Sequence, residues 1–177
     1  MSRDEALDPR LQLLHARRTV SRLEAPGPGP DDLAAMLAAA DTAPDHGLLR
    51  PWRFDVADDR ARTSLAEAYA AAQRDVTDDP ALIERAASKP LRGPCLVIAF
   101  ARTTPHPRIP DWEQLAAAAA AVQNLCLAAT ALGYGSAWRT GRAIEHDEVR
   151  AAAGAAPDER IIGMVHLGTP RPRGIDT

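Results

Sequence analysis

Six consecutive alanines, Ala116–Ala121, sit inside a stretch from Asp111 to Gly133 that carries few polar side chains, and this stretch constrains the fold more than any other. Asp111 and Gln114 have the spacing of a capping box, and Gly133 is a good left-handed stop. The stretch therefore reads as one helix about 33 Å long. Glu113, Gln114, Gln123 and Asn124 interrupt its apolar surface, and a charged domain surrounds it, which argues against a membrane span. Burial against other helices is the alternative. Because small side chains let backbones approach closely, part of that burial is expected across a two-fold dimer interface.

The remainder of the 177 residues supports one domain, 1–177, with enough chain to bury a full core. Hydrophobic residues make up 46% of the chain but aromatics only 4%, so packing must rely on close helix approach rather than large side chains. The net charge of −3, a pI near 5.9 and the lack of a basic run argue against nucleic acid or an anionic membrane as partner. Lys89 is the sole lysine, so any cofactor phosphate must be met by arginine, whose fork suits it. Cys95 and Cys126 read as buried apolar residues of a reducing compartment. Met1–Glu5 has acidic residues and no apolar core, unlike a secretory or transit segment, and the expected location is the cytoplasm.

Periodicity places the other elements. Asp8 and Pro9 open a helix with Leu7, Leu11 and Leu14 on one face, and Arg17 and Arg18 close its last turn. A second helix opens at Asp31 or Asp32 with Leu33, Met36, Leu37 and Ala40 facing the core. Trp52–Val56 alternates like a half-buried strand, Arg60–Asp75 reads as a helix, and a short helix follows Pro80. Cys95–Ala101 is an apolar run suited to a strand covered on both faces. Tyr134–Thr140 and Ile161–Leu167 are further strands, with a short helix at Glu145–Ala153 between them. The mixture lacks a strict βαβ rhythm and points to an α+β sheet layered with helices.

Few residues stand out for chemistry. Arg17-Arg18-Thr19-Val20-Ser21-Arg22 puts guanidinium and hydroxyl groups at a helix end, where a phosphate can be held. Two arginines there also simply complement the helix dipole. The Asp45-His46 pair lies in a turn and divides evenly between a local cap and a ligand contact. Glu145-His146-Asp147 reads as a solvated helix start, and no metal is expected. His106 belongs to an exposed loop, and His166, inside an apolar strand, reads as a satisfied core residue. No convincing nucleophile is present, and no side chain is assigned a catalytic role.

Five motifs in order, Arg17–Arg22, Ala43-Pro-Asp-His46, Pro51-Trp-Arg-Phe54, Gly133–Gly141 and Leu167-Gly-Thr-Pro170, resemble the FMN-dependent nitroreductase family, and within it the small bacterial YdjA-like branch. The resemblance covers about residues 7 to 170. It implies a mixed sheet flanked by helices, assembled as a homodimer with one FMN in each of two clefts shared by the subunits. Carried over, it assigns Arg17, Arg18 and Thr19 to the phosphate, ribityl or pyrimidine side of FMN. Thr42 and His46 would reach the same cofactor from the partner subunit. Trp138, Arg139 and Thr140 would line its other side, with a backbone N–H near Thr140 or Gly141 meeting flavin N5. Ala128 matches a position tied to nicotinamide binding.

The implied reaction is ping-pong transfer of a hydride from NADH or NADPH to FMN and on to a nitroaromatic, quinone or similar small acceptor. Convergent guanidinium groups suit both the phosphate dianion and the charge that reduced flavin carries near N1 and C2=O. A flavin-sequestering protein with little turnover and a flavin-degrading relative are the alternative readings. Three features depart from the family pattern. Arg50 stands before Pro51 where an amide is usual, Thr42 replaces a longer basic residue, and the chain stops at Thr177, short of the C-terminal arm of its relatives.

Overall fold

The computed structural model describes residues 8–171, so the expectations for Leu7 and for Met1–Glu5 lie outside the described residues. Helix α1 (Pro9–Ala16) begins where expected, with the N–H groups of Leu11 and Gln12 donating to the Asp8 carbonyl at 2.8 and 3.1 Å. The short strand β1 (Leu23–Glu24) leads to α2 (Pro30–Ala40), then β2 (Trp52–Ala57), α3 (Asp59–Arg74) and α4 (Pro80–Ala87). Strand β3 (Cys95–Arg102) is followed by α5 (Asp111–Ala131), β4 (Gly135–Arg139), α6 (Asp147–Ala152) and β5 (Glu159–Pro170).

All the strand pairs are antiparallel, which corrects the expected mixed sheet. The connections give the reason. The pair α3 and α4 returns the chain to the end of the sheet it left, so β2 and β3 run oppositely. The single helix α5 reverses the chain, so β3 and β4 run the same way, but β5 lies between them and is antiparallel to both. Among the described residues, parallel contact is confined to an isolated bridge between Thr19 and Ser136.

Alternation along β3 divides the core in two. Val97 and Ala99 face α2 and α5, where Met36, Ala40, Val122, Leu125 and Ala129 are fully buried. Leu96, Ile98 and Phe100 face α3 and α6 with Leu65, Tyr69 and Val149. By length and composition α5 is apolar enough to cross a membrane, but it packs through the centre of the domain against α2 and the sheet. Its end is as expected: Gly133 adopts φ +84° and the Tyr134 N–H closes back on the Ala129 carbonyl at 2.8 Å.

The start of α5 differs from the capping-box expectation. Pro110 is the N-cap and no side chain caps the helix. The buried Gln114 amide instead accepts from the Thr104 N–H and donates to the carbonyls of Thr104 and Ile109, stapling the preceding loop to the helix. A polar side chain one turn into a helix can serve either purpose. Here Asp111 is already inside the first turn, which leaves Gln114 free for the loop.

Candidate functional site

The arginine turn is clipped to the sheet. After Ala16 only the Arg17 N–H continues the helical pattern, to Leu13 at 3.1 Å, and the chain then extends so that the Val20 N–H donates to the Ser136 carbonyl at 2.9 Å. Gly135 makes this approach possible, because a Cβ there would stand 2.6 Å from Leu23 and 3.1 Å from Val20. Farther along β4, the Arg139 guanidinium donates to the Ser21 hydroxyl at 2.8 Å. The fold thus unites Arg17–Ser21 with Ser136–Arg139, residues more than a hundred positions apart.

Arg17 is half-buried, whereas Arg18 and Thr19 are exposed. Among the described residues no carboxylate pairs with Arg17 or Arg18. Two unpaired guanidinium groups beside the Thr19 and Ser21 hydroxyls form a donor set suited to a phosphorylated, hydroxylated ligand. Nearby, burial pushes the Cys126 thiol above its ordinary range, and the Ser136 hydroxyl and then the Arg17 charge only partly offset that. Both cysteines are free and packed in or against the core.

Trp138 and Arg139 leave β4 on opposite faces, as strand geometry requires. The Trp138 indole packs against the α5 side of the core over Gly163 and donates from Nε1 to the Ile162 carbonyl at 3.0 Å. A Cβ at Gly163 would come within 2.1 Å of that Nε1. Arg139 and Thr140 are exposed on the other face, at the mouth of a cleft that also holds His166.

The remaining candidates follow α5. The Thr42 hydroxyl donates to the Ala39 carbonyl at 2.8 Å and accepts from Asn124 Nδ2 at 3.3 Å. His46 is exposed and its Nδ1 lies 2.9 Å from Glu113 Oε2, while the Asp45 side chain accepts the Arg50 N–H at 2.7 Å and does not cap the helical turn that follows it. Ala128 is half-buried against the core. Along the helix, Asn124 and Ala128 stand about 16 and 22 Å beyond Glu113. One protomer therefore spreads these candidates along α5 and does not gather His46 with the arginine turn.

Two features escaped sequence reasoning. The turn after Asp45 holds Gly47, Leu48 and Arg50 at φ +79°, +54° and +45°, a strained run in which Leu48 is 85% exposed. His166 is buried as expected but is not satisfied: its Nδ1 has no partner among the described residues. The signal for the first was the Gly-Leu-Leu-Arg run before Pro51. Nothing local in the sequence marks the second. Among the described residues no group of three or more His, Cys, Asp or Glu could hold a metal, and His146 instead caps α6 and meets Asp75 at 2.9 Å.

Comparison with known proteins agrees with this architecture. The model of the "Nitroreductase family" matches residues 14–169. The chain is 34% identical over 161 residues, covering 91% of it and 88% of the relative, to the Escherichia coli (strain K12) protein "Putative NAD(P)H nitroreductase YdjA". Among solved structures, a nitroreductase-like family protein from Bacillus cereus superposes with a TM-score of 0.80 at 24% identity over 96% of this chain and 91% of that one. A nitroreductase with bound FMN from Bacteroides fragilis gives a TM-score of 0.73 at 28% identity, covering 93% and 89%. An antiparallel sheet between two helical layers, an arginine turn clipped to its edge strand and these likenesses over most of the chain together make this protein a member of the nitroreductase family.

Proposed function

We propose that the protein is an FMN-dependent NAD(P)H oxidoreductase of the cytoplasm that works as a homodimer and reduces a nitroaromatic, quinone or similar small acceptor. The observation that carries this reading is the pair of unpaired guanidinium groups at Arg17 and Arg18, held beside Thr19 against the edge of the sheet. Arg17, Arg18 and Thr19 bind the phosphate and ribityl side of the flavin, and their charge favours its reduced form. Arg139 is fixed by Ser21 next to them, and Trp138 stiffens the strand that presents the Thr140–Gly141 backbone. Bound FMN would supply the chemistry itself, taking a hydride from NADH or NADPH at N5 and releasing electrons to the acceptor in a ping-pong cycle.

Dimerisation is supported by apolar side chains that one protomer leaves uncovered: Leu11 at 46%, Leu14 at 54% and Trp112 at 67% exposure. A second copy covering them would bring its Thr42 and His46 to the cleft of the first and place Ala128 near the nicotinamide. Free, core-packed cysteines suit a reducing compartment.

The test is to titrate the protein with FMN and then add NADH or NADPH without oxygen. Bleaching of the flavin absorbance is expected, with affinity for FMN reduced about ten- to a hundredfold by Arg17→Ala. Failure to take up FMN overturns the proposal, and tight uptake without bleaching would make the protein a flavin holder.

A further inference from the structure

On the α3 side of the sheet, at its β4 edge, lies a cleft of about 180 Å³ whose walls carry four cations, Lys89, Arg92, Arg139 and Arg142, and no carboxylate. The chain builds it deliberately. Arg62, from α3, donates to the carbonyls of Pro90, Gly93 and Pro94 at 3.4, 2.7 and 3.2 Å, fixing the connector that presents Lys89 and Arg92. Tyr69 is 7% exposed and lines the cleft, with Lys89 Nζ 5.9 Å from its ring centre. Among the described residues Lys89, Arg92 and Arg142 have no acidic partner.

The inner contact is His166. It is 4% exposed, lines the cleft, and its Nδ1 is without a partner among the described residues. Burial first, and then the charges of Arg62, Arg92 and Arg139, hold its pKa down to about 4, against a hydrogen bond to the Arg92 backbone. The ring is therefore neutral at pH 7. Nδ1 is unpaired, and with the ring proton on Nε2 it offers a lone pair that needs a donor. Such a site asks for a ligand that is anionic toward the arginines yet carries a proton toward the imidazole. A carboxylate or sulfate has no such proton at neutral pH, whereas inorganic phosphate keeps at least one there and a phosphomonoester, with a second pKa of about 6, keeps one for part of its population.

We propose that this cleft binds a hydrogenphosphate group, free or as a small phosphomonoester, with its oxygens on Lys89, Arg92 and Arg142 and its P–OH donated to His166 Nδ1. The groups that hold the phosphate, Lys89, Arg92, Arg142 and His166, are not among the residues assigned to flavin, while Arg139, Thr140 and Gly141 border both.

The test follows the imidazole nitrogens of the full chain by NMR, with the His166 signal identified by its loss in His166→Gln, while inorganic phosphate is added at constant ionic strength. A saturating shift of His166 is expected with phosphate and none with sulfate. Arg142→Ala, a change at an exposed residue that leaves the core intact, should weaken phosphate about tenfold or more. Repeating the titration with FMN present separates the sources: independent saturation supports a site of its own, while mutual displacement would assign the phosphate to the flavin and overturn the proposal. A non-saturating response, an equal response to sulfate, or an indifferent Arg142→Ala would overturn it as well.

Discussion

Helices α3 and α5 cover opposite sides of one sheet, and they differ in how their outer faces are built. The Asp58 side chain caps α3 by accepting the Ala61 N–H at 2.7 Å, and Leu65, Ala68, Tyr69 and Ala72 form one buried stripe below a polar face. Beside it, the buried Glu159 carboxylate accepts from Arg53 Nε and Nη2 at 2.8 and 2.7 Å and from the Ala156 N–H at 2.9 Å, with Arg53 also paired to Asp55 and lying over the Phe100 ring. Helix α5 has no side-chain cap, buries small residues on its sheet side and leaves Trp112 outside. A helix that is apolar nearly all round is finished only when a second surface covers it. The contrast separates residues that hold the fold from those that the proposed assembly would cover.

Mutations should split along the same line. The largest effect on stability is expected from pH acting through His166, whose folded pKa of about 4 lies below the unfolded value of about 6.5. Between those values the unfolded chain binds the extra proton, so stability is full above about pH 6.5 and falls by about 3 kcal/mol as pH drops to 4. Denaturant unfolding across that window measures it, and His166→Phe should flatten the slope. Next comes Glu159→Ala, which leaves the Arg53 guanidinium and the Ala156 N–H without their acceptor and should cost about 2–3 kcal/mol at pH 7. Arg53 holds the Glu159 pKa down to about 2, so this contribution fades only as pH falls from about 4.3 toward that value, below the His166 window.

Gly163→Ala probes the interior of the α5 side. The added methyl collides with the Trp138 indole, and a loss of about 1–3 kcal/mol is expected, with a blue shift or broadening of the tryptophan emission as the check. The smallest effect on folding, below about 0.5 kcal/mol, is expected for Leu14→Glu at an exposed position. The same change should dissociate the proposed dimer in sedimentation and lower FMN uptake with it. A Leu14→Glu protein that keeps both would erase the distinction between the two sides.

What the sequence revealed follows the range of the interactions involved. Helix α5 and strands β3 and β5 were legible because an apolar run or a helical stripe is a local signal, and their observed bounds differ by a few residues. Strand direction was not, since nothing near β4 records that β5 inserts beside it. Gln114 was misassigned because its spacing from Asp111 fits two hydrogen-bond patterns, and the deciding partners, Thr104 and Ile109, lie in the loop before the helix. The ion pair of Arg53 with Glu159 spans 106 positions and left no trace in either segment. At the site, the phosphate-seeking character of Arg17 and Arg18 could be read from residue type alone. Its meeting with Ser21 and Arg139 needed the fold, and the unsatisfied nitrogen of His166 emerged only once its surroundings were known.

Strand β5 has a consequence for how the molecule comes into being. It bonds to β1, β3 and β4, and apart from β2 with β3 every ladder of the sheet includes it. Of the strands among the described residues it is the last to leave the ribosome. Until it emerges, the nascent polypeptide has one hairpin-like pair and several helices whose apolar faces have nothing to rest on. The domain can therefore close only once residues 159–170 are out, and a product cut short before residue 159 is a substrate for proteases and chaperones rather than a smaller version of the fold.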